Sequence, residues 1–263
     1  MDPATIAGLV IAFGALFGMI TLEGSSVTSV ILPAPMLLVF VGTIACGIAG
    51  CTLKDVIHAF KSLPKAFTSN PPKPNASIDQ VVELADKARR EGLLSLEAAA
   101  METKDPFLRN ALQNIADGTD GEELRNMLDD AVEAKIKSDH TAAKFFTSLG
   151  GYAPTVGIIG TVVSLTHVLE NLSNPGELGP MIAAAFVATL WGLLTANFLW
   201  LPIGSRLARL SDLEIDRMTL VMEGVLAVQA GSQPTLLRER LTAMVPPFRQ
   251  EAVKSSGQTK KAA

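Results

Sequence analysis

Gly150-Gly-Tyr-Ala-Pro-Thr-Val-Gly-Ile-Ile-Gly-Thr-Val-Val-Ser-Leu-Thr-His-Val-Leu169 and Leu178-Gly-Pro-Met-Ile-Ala-Ala-Ala-Phe-Val-Ala-Thr-Leu-Trp-Gly-Leu-Leu-Thr-Ala-Asn-Phe-Leu-Trp-Leu-Pro202 decide the fold of this chain. The apolar runs extend from Phe145 to Leu169 and from Leu178 to Ser205, with no Asp, Glu, Lys or Arg inside either. Each exceeds the roughly 20 residues that a helix needs to cross about 30 Å of hydrocarbon. Two membrane-spanning helices joined by a tight turn are expected.

Depth makes the pair informative. Thr161 lies nine residues before Glu170, and Thr189 lies nine residues after Pro180, where the second helix is expected to open. At 1.5 Å of rise per residue both hydroxyls fall about 13–14 Å from one membrane face, near the midplane. They would form a small polar layer between neighbouring helices. Alternatively each would bond back to its own helix, as Ser and Thr do in apolar surroundings.

The remainder of the chain supplies two more apolar segments. Ala4 to Leu22 reads as an uncleaved first span, lacking the basic start of a secretory leader. Pro33 to Leu53 reads as the second. Gly14 with Gly18, and Gly42 with Cys46 and Gly50, give narrow faces that let helices approach. Cys46 and Cys51 lie five residues apart, point to different faces of one helix, and read as small packing residues. At 263 residues with 48 % hydrophobic content, the chain is too apolar for an ordinary soluble domain.

Lys54 to Lys144 differs in kind, holding 13 of the 22 basic residues. Lys54 to Phe67 is basic and amphipathic, suited to a membrane surface. A Pro-rich linker follows at residues 68–75. A helix capped by Ser77 is expected to run through Arg90, broken by Gly92 and resumed from Leu94 to Thr103. Asp105-Pro106 starts another, to Ile115, and Asp117-Gly-Thr-Asp120-Gly ends it and caps the next, with Glu123 completing a capping box. From Glu122 the helical pattern continues unbroken into the third span. After Ser205 the fourth span continues outward, a turn at Gly231 to Pro234 precedes a short helix, and residues 254–263 read as a disordered basic tail. The bases nearest the helix ends, Lys54, Lys61, Lys144, Arg206 and Arg209, set the orientation. Both charged regions and both termini are expected in the cytoplasm.

The expected fold class is therefore an all-α membrane protein. Four transmembrane helices carry a helical cytoplasmic domain inserted between helices 2 and 3. The segments are 1–53 (spans 1 and 2), 54–144 (inserted domain), 145–205 (spans 3 and 4) and 206–263 (C-terminal helices and tail). No enzyme, metal or nucleotide signature is present, and nothing points to nucleic acid. His58 and His140 read as solvated, and His167 as an interfacial helix-end residue beside Glu170. A protein that moves cations through its interior places a carboxylate at membrane depth. Glu23, Glu170 and Glu177 all fall at outer ends, so an ion-moving complex must take its carboxylate from a second protein.

Tyr152-Ala-Pro-Thr-Val-Gly-Ile-Ile-Gly-Thr161, Asn174-Pro175, Leu178-Gly-Pro180, Ala188-Thr189-Leu-Trp-Gly192 and Leu201-Pro202 resemble, in order, motifs of the MotA/PomA family of flagellar stator proteins. Ala88-Arg89-Arg90-Glu91-Gly92-Leu-Leu-Ser-Leu-Glu97 and Asp117-Gly-Thr-Asp120 extend the resemblance through the charged segment. It implies an ion-conducting stator subunit of the bacterial inner membrane, with no cofactor and with Na⁺ or H⁺ as the transported ion. It further implies a homo-pentamer in lipid around a MotB/PomB-type single-span partner, whose Asp binds the ion. The cytoplasmic helices would push the rotor protein FliG through Arg89, Arg90 and Glu97. Pro175 and Pro234 match positions coupling ion flow to movement, and Thr161 and Thr189 match the ion pathway. Threonine at 161 is the sodium-type residue of the family, so Na⁺ is favoured. The alternatives are an ExbB/TolQ-like force generator, which shares the core helix pair, and a non-conducting membrane scaffold.

Overall fold

The computed structural model describes residues 3–70 and 72–250, which form helices joined by short turns, with no strand among them. The tail expected at 254–263 lies outside the described residues. The helices are α1 (Pro3–Leu22), α2 (Pro33–Ala49), α3 (Leu53–Thr68), α4 (Pro74–Glu91), α5 (Leu96–Glu102), α6 (Pro106–Ala116), α7 (Gly121–Glu170), α8 (Pro175–Gln229) and α9 (Pro234–Ala243). α1, α7 and α8 are long and apolar enough to cross a membrane, and α2 is apolar but shorter.

Several boundaries differ from the sequence reading, each for a local reason. α2 stops at Ala49, because Gly50 ends the turn and Thr52 starts a new helix. The Thr52 hydroxyl accepts from the Asp55 N–H, and the Asp55 carboxylate accepts from the Thr52 N–H, closing a capping box. α4 begins at Pro74 rather than behind Ser77, which is buried inside the helix. Likewise α8 begins at Pro175, not Pro180. In both cases proline suits the first helical turn, where its missing N–H costs nothing and its φ is already helical. α7 is one helix of 50 residues, as its unbroken pattern predicts. Asp120 caps it by accepting from the Glu122 N–H. Gly92, at φ +85°, makes the break after α4 that other residues would resist.

The described residues form two compact units, one of 3–70 with 137–212 and one of 72–136 with 213–250. In the first, α2 runs antiparallel to α7. An added methyl at Gly160 would meet Leu38, one at Gly42 would meet Val156, and one at Gly47 would meet Leu149 and Phe145. Gly47, not Gly50, is the tightest point of α2. A methyl added to Gly14 or Gly18 of α1 would meet nothing within 4 Å, and Cys46 and Cys51 are exposed. α3 buries Val56, Ala59 and Ala66, and Phe60 stacks edge-on against Phe145 and Phe146. One side of α3 thus packs on α7, while Leu53, Ile57 and Phe60 remain exposed. His58 Nε2 lies 3.1 Å from the Ser138 carbonyl, so this histidine is a helix-to-helix contact and not simply solvated.

The second unit has a core of Ile78, Val81 and Leu84 from α4, Leu96 of α5, and Leu108 and Leu112 of α6. Leu124, Val221, Val225, Leu237 and Leu241 complete it. Charged pairs tie its rim. Glu223 accepts from Arg125 and from Arg240, each at 2.8 Å, joining α7, α8 and α9. Arg238 pairs with Asp79 at 2.5 Å, joining α9 to α4. Arg217 donates to Asp105 at 2.6 Å and to Glu214 at 2.7 Å. Burial works against its charge, but those two hydrogen bonds outweigh burial and hold its pKa above the ordinary arginine value.

The hydrogen bond from Arg125, opposed by burial and aided by the charges of Arg125 and Arg240, holds the Glu223 carboxyl below the usual carboxylate range. A depressed folded pKa gives stability that is present above the unfolded value and lost as pH falls through the folded one. Glu223→Gln should therefore lower the unfolding temperature of the detergent-purified chain at pH 7, a loss of about 1–3 kcal/mol. The gap between wild type and variant should close as pH falls below about 4, the ordinary Glu range. Thermal melts at the two pH values check both statements.

Candidate functional site

The closest approach of α7 and α8 is built on glycine. A methyl added to Gly157 would lie 2.8 Å from the Ala188 carbonyl oxygen and 3.1 Å from the Gly192 Cα. One added to Gly192 would lie 2.7 Å from the Ala153 carbonyl oxygen and 3.0 Å from the Gly157 Cα. Two backbones meet here with no side chain between them, the geometry that small residues permit in apolar surroundings. Gly150 against Leu201, and Gly204 against Thr147, continue the seam along the pair.

One turn from Gly157 the seam brings Thr161 and Thr189 together, their hydroxyl oxygens 2.5 Å apart. Thr161 Oγ1 is also 2.9 Å from the Ala185 carbonyl oxygen on α8 and 3.1 Å from the Gly157 carbonyl oxygen on its own helix. Both sequence readings, the shared polar layer and the bond back to the helix, therefore coexist. A hydroxyl has one proton, so Thr161 serves one carbonyl at a time while its lone pairs accept from Thr189. Three oxygens, Thr161 Oγ1, Thr189 Oγ1 and the Ala185 carbonyl, are thus gathered at one level. Both threonines are half-buried. The pair is off centre by the count of α2, since Gly160 faces Leu38, only about one turn inside that helix's outer end at Pro33.

Trp191, two residues from Thr189, escaped the sequence reading. Its Nε1 donates to the Val30 carbonyl at 2.7 Å, and its ring packs against Phe40 at 5.9 Å. The turn between α1 and α2 is thereby fixed to α8 beside the hydroxyl pair. A tryptophan amid apolar residues needs a partner for its N–H, and that need is the available signal. The partner, 161 positions away, leaves no mark in the sequence.

The other predicted residues lie apart from the pair. Pro175 is the first residue of α8 and Pro234 the first of α9. Arg89 and Arg90 occupy the last turn of α4, and Glu97 the first turn of α5, all three exposed on either side of Gly92. Arg90 pairs with Asp86 at 2.7 Å. At the end of α7, His167 Nδ1 lies 3.5 Å from Glu170, both exposed. A cavity of about 230 Å³ in the second unit is lined by Ser77, Asp216, Arg217 and Arg249. Its arginines already face carboxylates, Arg217 as above and Arg249 at 3.8 Å from Asp216. No cluster of three metal-ligating side chains occurs among the described residues.

Residues 6–92 match the family described as Motility protein A N-terminal, and residues 99–220 match the MotA/TolQ/ExbB proton channel family. Motility protein A of Bacillus subtilis is 35% identical, covering 94% of this chain and 92% of that protein. Chemotaxis protein PomA of Vibrio alginolyticus is 32% identical, covering 90% of this chain and 92% of its own. Among solved structures, that of C. jejuni MotAB superposes with a TM-score of 0.91 at 28% identity, covering 96% of this chain and 100% of that one. The flagellar MotAB stator complex from Bacillus subtilis gives 0.86 at 34%, covering 94% and 97%.

The seam makes a paired prediction. Gly157→Ala should cost about 1–3 kcal/mol, because its methyl meets backbone that cannot turn aside. Gly151→Ala, with nothing within 4 Å, should be nearly neutral. Unfolding temperatures of the two purified variants check the contrast.

Proposed function

The chain belongs to the MotA/TolQ/ExbB proton channel family, on its Motility protein A branch, and from this we propose the following working cycle for it as a stator subunit of the bacterial flagellar motor. It is not an enzyme. α1, α2 and the apolar parts of α7 and α8 are four spans of the inner membrane. The charged segments and both termini lie in the cytoplasm. A single-span partner of the MotB type supplies the ion-binding carboxylate, which this chain lacks at membrane depth. Several copies of the chain, five in the family pattern, surround that partner.

The observation that carries the ion pathway is the contact of Thr161 with Thr189 beside the Ala185 carbonyl. A hard cation leaving water takes oxygen ligands, and a lone carboxylate cannot supply them all. Two hydroxyls and one carbonyl at one level supply the rest, which favours Na⁺ over H⁺. A proton needs only the carboxylate and a chain of hydroxyls or waters. Ion passage changes the contacts of the partner with α7 and α8, whose continuous helices carry movement toward the second unit. Pro175, opening α8 at the outer turn, and Pro234, opening α9, act as coupling points. Arg89, Arg90 and Glu97, on exposed turns flanking Gly92, meet the rotor protein FliG. Exposed charges of this kind contribute little singly, roughly 0–1 kcal/mol each, so the contact works as a set.

Producing the chain with its partner in a host lacking stators tests the reading. Swimming should require both proteins, and motor speed should follow external Na⁺ at fixed proton-motive force. Thr161→Ala should lose the Na⁺-dependent rotation, whereas Thr161→Ser should keep much of it. No rotation from a complex that still assembles would overturn the stator role. Speed independent of Na⁺ would instead assign the proton.

A further inference from the structure

Beyond the hydroxyl pair, the spans carry further polar groups that the pathway does not use. Asn197 on α8 and Thr155 on α7 are both exposed, each within a stripe of exposed apolar residues. Asn197 continues the line of Phe186 and Leu193, and Thr155 that of Ile158, Ile159 and Val162. An amide or hydroxyl facing lipid at this depth is unfavourable, so such groups turn toward protein. Neither faces its own helix pair. Counted at 3.6 residues per turn, Thr155 lies about 200° round α7 from Gly157 and Asn197 about 140° round α8 from Gly192, so both point away from that contact.

Their depths match. Gly157 sits against Gly192, and Gly150 against Leu201, so Thr155 stands near the level of Leu194 on the antiparallel helix. Asn197 is three residues further in, about 4.5 Å. The side chains close that gap, because each leans toward the N-terminus of its own helix and the two helices run oppositely. The Asn197 Nδ2 donates to the Leu193 carbonyl at 2.8 Å, reaching outward. The Thr155 hydroxyl donates to the Tyr152 carbonyl at 2.8 Å, reaching inward.

Their remaining hydrogen-bonding capacity is complementary. The only proton of Thr155 is engaged, so its oxygen can only accept. Nδ2 of Asn197 keeps a second N–H that can donate. We propose that Asn197 of one copy of this chain donates to Thr155 of the next, fixing the register of a head-to-tail contact between α8 and α7 within the membrane. The two groups lie on different faces, so the contact is heterologous and closes only as a ring. It rests on the reading of α7 and α8 as membrane spans of a multi-copy assembly.

The test uses the full chain with its partner, with Cys46 and Cys51 replaced by Ser. In membranes treated with a mild oxidant, the Thr155→Cys, Asn197→Cys double variant should give a ladder of disulfide-linked multimers that a reductant collapses. Each single variant alone should give none, and the two single variants produced together should give dimers only. Absence of a ladder from a purified complex that holds several copies would overturn the pairing and leave the assembly standing. A crosslink from either single variant to the partner's span would overturn it by giving that face to the partner. A purified chain that is a single copy would overturn the assembly itself. Thr155→Ala and Asn197→Ala supply a test without cysteine. Each should lower the dissociation temperature of the complex, and the double variant should lower it no further than either alone. Additive losses would contradict the hydrogen bond.

Discussion

Backbone-to-backbone contact at Gly157 and Gly192 is the constraint on which the first unit depends. With no side chain between them, α7 and α8 are held at one separation and one register. That register places Thr161 against Thr189 and the Ala185 carbonyl. It also sets the level at which Trp191 reaches the Val30 carbonyl. Apolar burial alone would let the helices slide, since lipid tails are as apolar as the side chains. Steric fit and a few hydrogen bonds provide the specificity that burial cannot.

The second unit solves a different problem with different means. Its helices are amphipathic and short, so it builds a conventional core around Val81, Leu112 and Val225 and ties the rim with ions. Glu223 is the node, receiving arginines from two other helices. The long helices α7 and α8 contribute residues to both units, whereas the exposed charges Arg89, Arg90 and Glu97 sit on α4 and α5 of the second.

Much of this was legible from the sequence because it is local. Proline and glycine marked the turns at Gly92, Asp105-Pro106 and Pro234, and unbroken helical patterning predicted the length of α7. The Thr161 and Thr189 match was found from equal counts to Glu170 and Pro180, although α8 starts five residues before Pro180. The count survived because antiparallel register depends on where two helices touch, not on where either begins. What was not legible depends on a partner far away in sequence. Nothing local marks Gly47 rather than Gly50 as the tight point, or Val30 as the acceptor for Trp191. Ser77 looked like a cap because serine favours that position, and Pro74 outranked it by fitting the first turn.

The central claim is that the Thr189 hydroxyl, held against Thr161, belongs to the ion path rather than to packing alone. Single-motor torque with Thr189→Val tests it, since valine keeps the shape and removes the hydroxyl, while Thr189→Ser keeps the hydroxyl. Copurification with the partner shows that each complex still assembles. The account predicts that motors with valine stop and motors with serine turn. Torque near the wild-type value with valine would contradict it.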